Sequence, residues 1–441
     1  MAGQPYLRRV GAAGMVAALF TIAGGGTLGA TAGAAQPAPI ARAARAAGVA
    51  RVARAARDPG AYVLSAGSVR KSGELYSAIR TEGAATLKLT GGTIRTTTSS
   101  GGPVAAVLAS ARSHIAMCGC AVVSPGAASG VFAVDANSHI VMSHSTIRTG
   151  TLAEHAGSPG VMAAGGGHVT LDNVNISTAS ANSAPLAAAR GGTVTAYGGT
   201  LTATGDGSPV IHSAGVVTVH DVTGTTRRGP NVAIVAGHHS ITAIDSQLTG
   251  SGGGVTLLRG ISADAGAGAA TFTMVGGSLT AEDGPAFSVL QTAAKISLSG
   301  GAVVRSGSGV LVRVTPFAEP GVADGSLTFT AAGATLGGDI LSTGTGATTV
   351  SLKDGTTLTG TIRNAALTLD DRSRWIVTAN STLTSLTGVT MSGGAITNIV
   401  GNGHDVYYDN SLSASGRLAD RTYRLAGGGR LIAVTYATPL L

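Results

Sequence analysis

The chain has 441 residues, of which 68 are glycine, 11% are charged and only 3% are aromatic. Its formal net charge of +8 misleads, because residues 1–57 hold seven arginines and no acidic group, leaving 22 basic against 21 acidic residues in the body. A near-neutral body has no basic stripe of the kind that nucleic-acid binding requires, so no nucleic-acid partner is expected.

The N-terminus reads as an export signal. Arg8-Arg9 precedes an apolar run from Val10 to about Ala35, and Ala32-Gly33-Ala34 offers an A-x-A cleavage site. A positive start, an apolar stretch and small residues at the exit predict a secretory signal over 1–35. The run is glycine-rich and weakly hydrophobic, which disfavours a permanent membrane helix, and the residues flanking Arg8-Arg9 do not support a twin-arginine signal. Residues 36–57 form an Ala/Arg-rich linker or pro-segment. Arg51, Arg54 and Arg57 share one helical face, so two readings stand: a cationic helix at an anionic surface, or a soluble linker.

From about Thr86 to Val400 one phrase returns every 18 to 26 residues: an alternating apolar/polar strand, a tight Gly or Asp/Asn turn, and a second short strand. Examples are His139–Ile147, His168–Ile176, Thr193–Leu201, Ser240–Leu248 and Ala270–Leu279. Such a unit cannot bury its apolar face alone and must stack on its neighbours. Each repeat carries a long return rather than a tight hairpin, which predicts an all-β protein: a single-stranded right-handed parallel β-helix, or solenoid. Its coils would be about 4.8 Å apart. Val169, Leu171, Val174 and Ile176, and Val217 and Val219, are predicted core. Gly91-Gly92, Gly198-Gly199, Gly276-Gly277, Gly300-Gly301 and Gly393-Gly394 are predicted to take one recurring corner, where positive φ is needed. The domain reading is a β-helix with an N-terminal cap over 58–400 and a C-terminal capping module over 401–441. Tyr62 and Tyr76 mark the first cap. Tyr407, Tyr408, Tyr423 and Tyr436 mark the second, read as strands at Tyr423–Leu425 and Leu431–Tyr436 around Gly427-Gly428-Gly429. Insertions at Gly260–Ala269 and Phe317–Gly325 are expected to project as loops.

Chemistry is sparse. Cys118 and Cys120 flank Gly119 and are a candidate disulfide, since a bend at the glycine would bring together side chains that a regular strand holds apart. His114 lies near, but no further ligand stands at metal spacing. Asp172, Asp221 and Asp245 recur at similar phase, so stacked coils would align them as a carboxylate row for calcium or a sugar; Asp264 and Asp283 are scattered, and aspartate in turns is ordinary. His238-His239 and the other histidines match no metal motif, and no Gly-x-Ser-x-Gly elbow or phosphate loop occurs. No catalytic residue, metal or cofactor is assigned.

The stretch Ala366–Leu386, with Ser373-Arg374-Trp375, Val377-Thr378 and Asn380-Ser381-Thr382-Leu383, resembles the passenger domains of pertactin-like autotransporters. The Gly-Gly-Thr-Ile phrases upstream are similar in style. The resemblance implies a bacterial β-helix, secreted or displayed at the cell surface by the periplasm and outer-membrane route, with adhesive or virulence-associated roles. It also implies a membrane β-barrel after the passenger. No run of long amphipathic strands precedes Leu441, so a secretion partner supplied in trans is expected. The body lacks the Arg-Gly-Asp tripeptide of some adhesive passengers. The expected protein is a monomeric, non-enzymatic adhesin that meets host or cell-surface glycans or proteins. The alternative is a carbohydrate-active β-helix, a polysaccharide lyase or glycosidase, using the turn carboxylates.

Overall fold

A computed structural model describes residues 61–65, 68–71, 77–96, 105–150, 157–259, 268–315, 325–411, 418 and 420–435. The expected signal segment, the Ala/Arg segment, Tyr76, Tyr436 and nearly all of the two insertions lie outside the described residues. The chain forms a parallel β-solenoid of about 13 turns, with no α-helix among the described residues. Each turn contributes one strand to each of three faces. The first face starts with Ala61–Ser65 and continues through Thr86–Thr90, His114–Cys118, His139–Ser143 and His168–Asp172. The second runs through Ser68–Lys71, Thr93–Thr96, Ala121–Ser124, Thr146–Thr149 and Asn175–Thr178. The third runs through Ile79–Thr81, Ala105–Ala109, Ser129–Val134 and Val161–Ala164. The ladder therefore begins by Ala61, ahead of Thr86, where the repeat becomes legible in the sequence.

Register follows from alternation. A strand's side chains point in and out by turns, so a slip of one residue would expose every inward group. One inward column of the first face runs Leu87, Ile115, Ile140, Val169, Val194, Val217, Ile241, Phe272, Ile296, Phe329, Val350, Leu367 and Leu386. The steps along it range from 17 residues (Val350 to Leu367) to 33 (Ile296 to Phe329). The two longest, Ile241 to Phe272 and Ile296 to Phe329, contain the two expected insertions, so extra chain length leaves the stack without shifting its register. Phe272, Phe287 and Phe329 thicken the middle of the core, with ring centroids 5.9 and 6.0 Å apart in tilted and edge-on pairs.

The corner between the first and second faces is the tight one. Gly91, Gly119, His144, Asn173, Gly198, Asp221, Asp245 and Gly276 occupy it on successive turns, all at positive φ. Each donates its N–H to the carbonyl of the next coil's strand end, as in Gly91 to Cys118 (2.8 Å), Asn173 to Tyr197 (2.7 Å) and Asp245 to Val275 (2.8 Å). Glycine, asparagine and aspartate recur here because they tolerate that backbone region. Four of the five Gly-Gly pairs fall at this corner as expected. Gly393-Gly394 does not: it turns an antiparallel hairpin of Met391–Ser392 with Ala395–Ile396. A Gly at both central positions is the chemistry of such a hairpin turn, which a fixed-phase reading cannot separate from a solenoid corner.

At the second corner buried hydroxyls replace glycine. Thr149, Thr178 and Thr226 donate to the carbonyls of Ser158, Ser183 and Ser208 at 2.6 to 2.8 Å. These bonds satisfy carbonyls that the ladder leaves over. The third face is buried on both sides over much of its length. Its outward Leu108, Phe132, Met162, Ala187 and Ala189 form a second apolar cluster. The third-face ladder continues through Val406–Asp409 to Arg430–Val434, which also pairs antiparallel with Tyr423–Ala426. That hairpin is the one expected around Gly427–Gly429.

Candidate recognition surface

With the third face covered over much of its length, the first and second faces carry most of the outward side chains of the stack. On the first, the central outward position is Thr170, Thr195, Thr218, Thr242, Thr273, Ser297, Thr330, Ser351, Thr368 and Thr387 on successive turns. Thr368 and Thr387 hydrogen-bond along the column at 2.9 Å. β-branched threonine suits a half-exposed strand, so this column serves the sheet as well as any ligand.

The N-terminal end of the first face carries a histidine ladder. His114, His139 and His168 are register partners, with rings stacked at 5.0 and 4.9 Å. Partial burial, then repulsion from His168 and His114, holds the His139 imidazole below the ordinary histidine range. Four residues on in each strand, Tyr197 stacks on His220 at 4.8 Å. The sequence reading missed this ladder. Its signal was present: His114-Ile115-Ala116-Met117, His139-Ile140-Val141-Met142 and His168-Val169-Thr170-Leu171 each open a strand with histidine.

The second face is chemically one-sided. Its outward positions from Thr93 to Ile376 are mostly hydroxyl or small groups, and the charged ones are Arg95, Arg148, Arg305 and Arg374, with no carboxylate among them. None of the four makes an ion pair among the described residues, whereas Arg228 beyond the second corner meets Asp206 at 2.8 Å. Around Arg148 lies a shallow depression of about 120 Å3, lined also by Thr146, Asn175, Ser177, Thr200 and Thr202. Asn175 Oδ1 accepts from the Thr200 N–H (3.0 Å) and hydroxyl (2.8 Å), which fixes the floor of the depression.

The expected carboxylate row is only partly assembled. Asp221 and Asp245 take the same corner position on consecutive turns. Asp172 ends its strand, in register with Tyr197, and the corner position of that turn belongs to Asn173. Reading phase from the end of each strand displaced Asp172 by one residue. Asp283 lies past the second corner and Asp264 outside the described residues. No group of three or more His, Cys, Asp or Glu among the described residues stands close enough to hold a metal ion.

Cys118 and Cys120 are free thiols. Cys118 ends the first-face strand exposed, Gly119 turns the corner at φ +64°, and Cys120 faces inward. One side chain is exposed and the other buried, and the two thiols are unbonded. Cys120 Sγ instead lies 3.4 Å from the Gly91 carbonyl. Burial pushes its thiol up, which keeps it protonated and unreactive.

His212 sits on the third face, fully enclosed. Burial, reinforced by His239, lowers its pKa to about 4, so the ring is neutral at pH 7. His239 Nδ1 lies 3.0 Å from the Val235 carbonyl, beside exposed His238. Trp375, on which the family resemblance turned, lies fully buried in the inward column of the second face and donates Nε1 to the Gly360 carbonyl at 2.9 Å. Its role is packing.

Comparison with protein-family models, with curated proteins and with solved structures returned no match.

Proposed function

We propose that the protein is a secreted or surface-displayed bacterial recognition protein of the pertactin-like passenger type, acting as an adhesin through its elongated first and second faces and not as a catalyst. The observation that carries this reading is the pair of long, hydroxyl-rich outward ladders, over which chemical groups repeat turn after turn and the depression around Arg148 is shallow rather than a cleft. Binding distributed along a rigid rod needs many modest contacts, and a solenoid supplies them. Export by an N-terminal signal, a secretion partner in trans and a monomeric state belong to the same proposal.

The test is binding of the purified chain to intact cells and immobilised glycans, followed by product analysis. Saturable binding with unchanged glycan supports the reading. A second reading, a polysaccharide lyase or glycosidase, draws on the one carboxylate pair that the corner stacks, Asp221 and Asp245. Sustained glycan cleavage, dependent on calcium and abolished by Asp221→Ala or Asp245→Ala, would replace the first reading with the second.

A further inference from the structure

The inference concerns what the second face binds, and it rests on the recognition reading above. We infer that the Arg95–Arg148 end of this face is a site for an acidic polysaccharide, laid along the solenoid axis with its carboxylate or sulfate groups on the guanidinium groups and its hydroxyls on the threonine and asparagine column.

Three observations carry it. The first is charge. The body of the chain is almost neutral, yet the outward second face collects arginine and excludes carboxylate from Thr93 to Ile376. Arg95 and Arg148 have no ion-pair partner among the described residues, which leaves their fork of donors to an anion. Asp172, which ends the first-face strand one turn beyond Arg148, accepts from Asn173 Nδ2 at 3.0 Å, and the corner carboxylates Asp221 and Asp245 stand three and four turns beyond Arg148.

The second is spacing. Arg95, Val123 and Arg148 are register partners on three successive turns, which sets the two guanidinium-bearing positions about 10 Å apart along the axis. Between and beyond them the outward groups are short, so a linear polymer can lie flat. The depression around Arg148 spans three turns and presents an amide and several hydroxyls within reach of the same ligand. The two arginines come from identical tetrads, Thr93-Ile94-Arg95-Thr96 and Thr146-Ile147-Arg148-Thr149, so each projects from the same position of its strand.

The third is what the face lacks. No aromatic residue occupies an outward position on it. A neutral sugar is usually gripped by stacking on a ring, and nucleic acid by base stacking as well as charge. Neither has a platform here. A polyanion whose backbone is itself rich in hydroxyls matches both the guanidinium groups and the ladder between them.

The experiment titrates the full chain with a sulfated oligosaccharide of the heparin type, with oligogalacturonate, with neutral dextran and with single-stranded DNA, at two salt concentrations. Saturable binding to one of the acidic sugars, weakening as salt rises, is expected. Arg148→Gln should weaken it roughly tenfold and Arg95→Gln with Arg148→Gln further, while Arg228→Gln leaves it unchanged. The sulfated and carboxylated arms identify which anion is read. Each side chain is solvent-facing, so circular dichroism of the variants should match the parent. Equal binding of dextran, equal or tighter binding of DNA, or acidic-sugar binding that ignores both arginines would overturn this assignment. Cell binding that persists in the double variant would overturn it and leave the recognition reading standing. Absence of binding to every glycan and to cells by the unaltered chain would overturn both.

Discussion

His212 is a fully enclosed imidazole. Its folded pKa of about 4 lies below the ordinary 6.5, so the unfolded chain takes up a proton that the folded chain refuses. Stability contributed by the neutral ring is therefore full above pH 6.5 and is lost as pH falls toward 4. Complete loss corresponds to about 3 kcal/mol. His139 shifts in the same direction and adds to the slope at the upper end of that window. Denaturant melts between pH 7 and pH 4 should show this fall, and His212→Gln should flatten it. An unchanged slope in the variant would remove His212 as the cause.

The tight corner gives a second test at single residues. Gly276 has φ +67°, and a Cβ there would stand 2.1 Å from Asp245 Oδ1, while Gly301 has φ +77° and open space around it. Gly301→Ala should cost about 1 kcal/mol from backbone strain alone. Gly276→Ala should cost about 1 to 2 kcal/mol more, and pairing it with Asp245→Ala should recover that excess. Equilibrium unfolding of the three variants measures each part. The Asp245 side chain lies where a Cβ at Gly276 would be, so glycine is the residue that fits the turn after Asp245.

At the level of the strand, the inward columns set stability and register together. Phe287→Ala removes a ring that touches Phe272 and Phe329, with centroids at 5.9 and 6.0 Å, and should cost about 3 to 5 kcal/mol. Trp375→Phe should cost about 1 to 2 kcal/mol, because it leaves the buried Gly360 carbonyl without its 2.9 Å donor. Chemical denaturation checks both. Much at this scale was legible beforehand. Alternation in His168–Asp172 and Ser240–Ile244 announced which residues face in, and the hairpin around Gly427–Gly429 was legible from its turn. The second apolar cluster was not: Leu108, Phe132 and Met162 fall on the outward phase of their strands, and alternation assigns such residues to solvent. A strand buried on both faces breaks the period that reveals strands.

For the whole molecule, each turn touches mainly the turns before and after it, so cooperativity passes from neighbour to neighbour. Amide exchange should be slowest in central ladders such as Thr193–Tyr197 and Ala270–Val275. It should be fastest in Arg430–Val434, which pairs with no later strand among the described residues. Uniform protection from end to end would contradict a nearest-neighbour stack.

The solenoid itself was fixed by the order of residues along the chain. A repeating strand that cannot bury its apolar side alone leaves stacking as its one stable outcome, and alternation then sets the register. The surface was decided only in three dimensions. His114, His139 and His168 stand 25 and 29 residues apart, and Arg95 and Arg148 are separated by 53, yet the stack brings each set onto one face. Which residues meet across turns depends on where each corner starts and how much chain loops out between strands. Those lengths vary from 17 to 33 residues per turn. A one-residue difference in counting moved Asp172 out of the row with Asp221 and Asp245, because side chains on neighbouring positions of a strand point to opposite sides or to different columns.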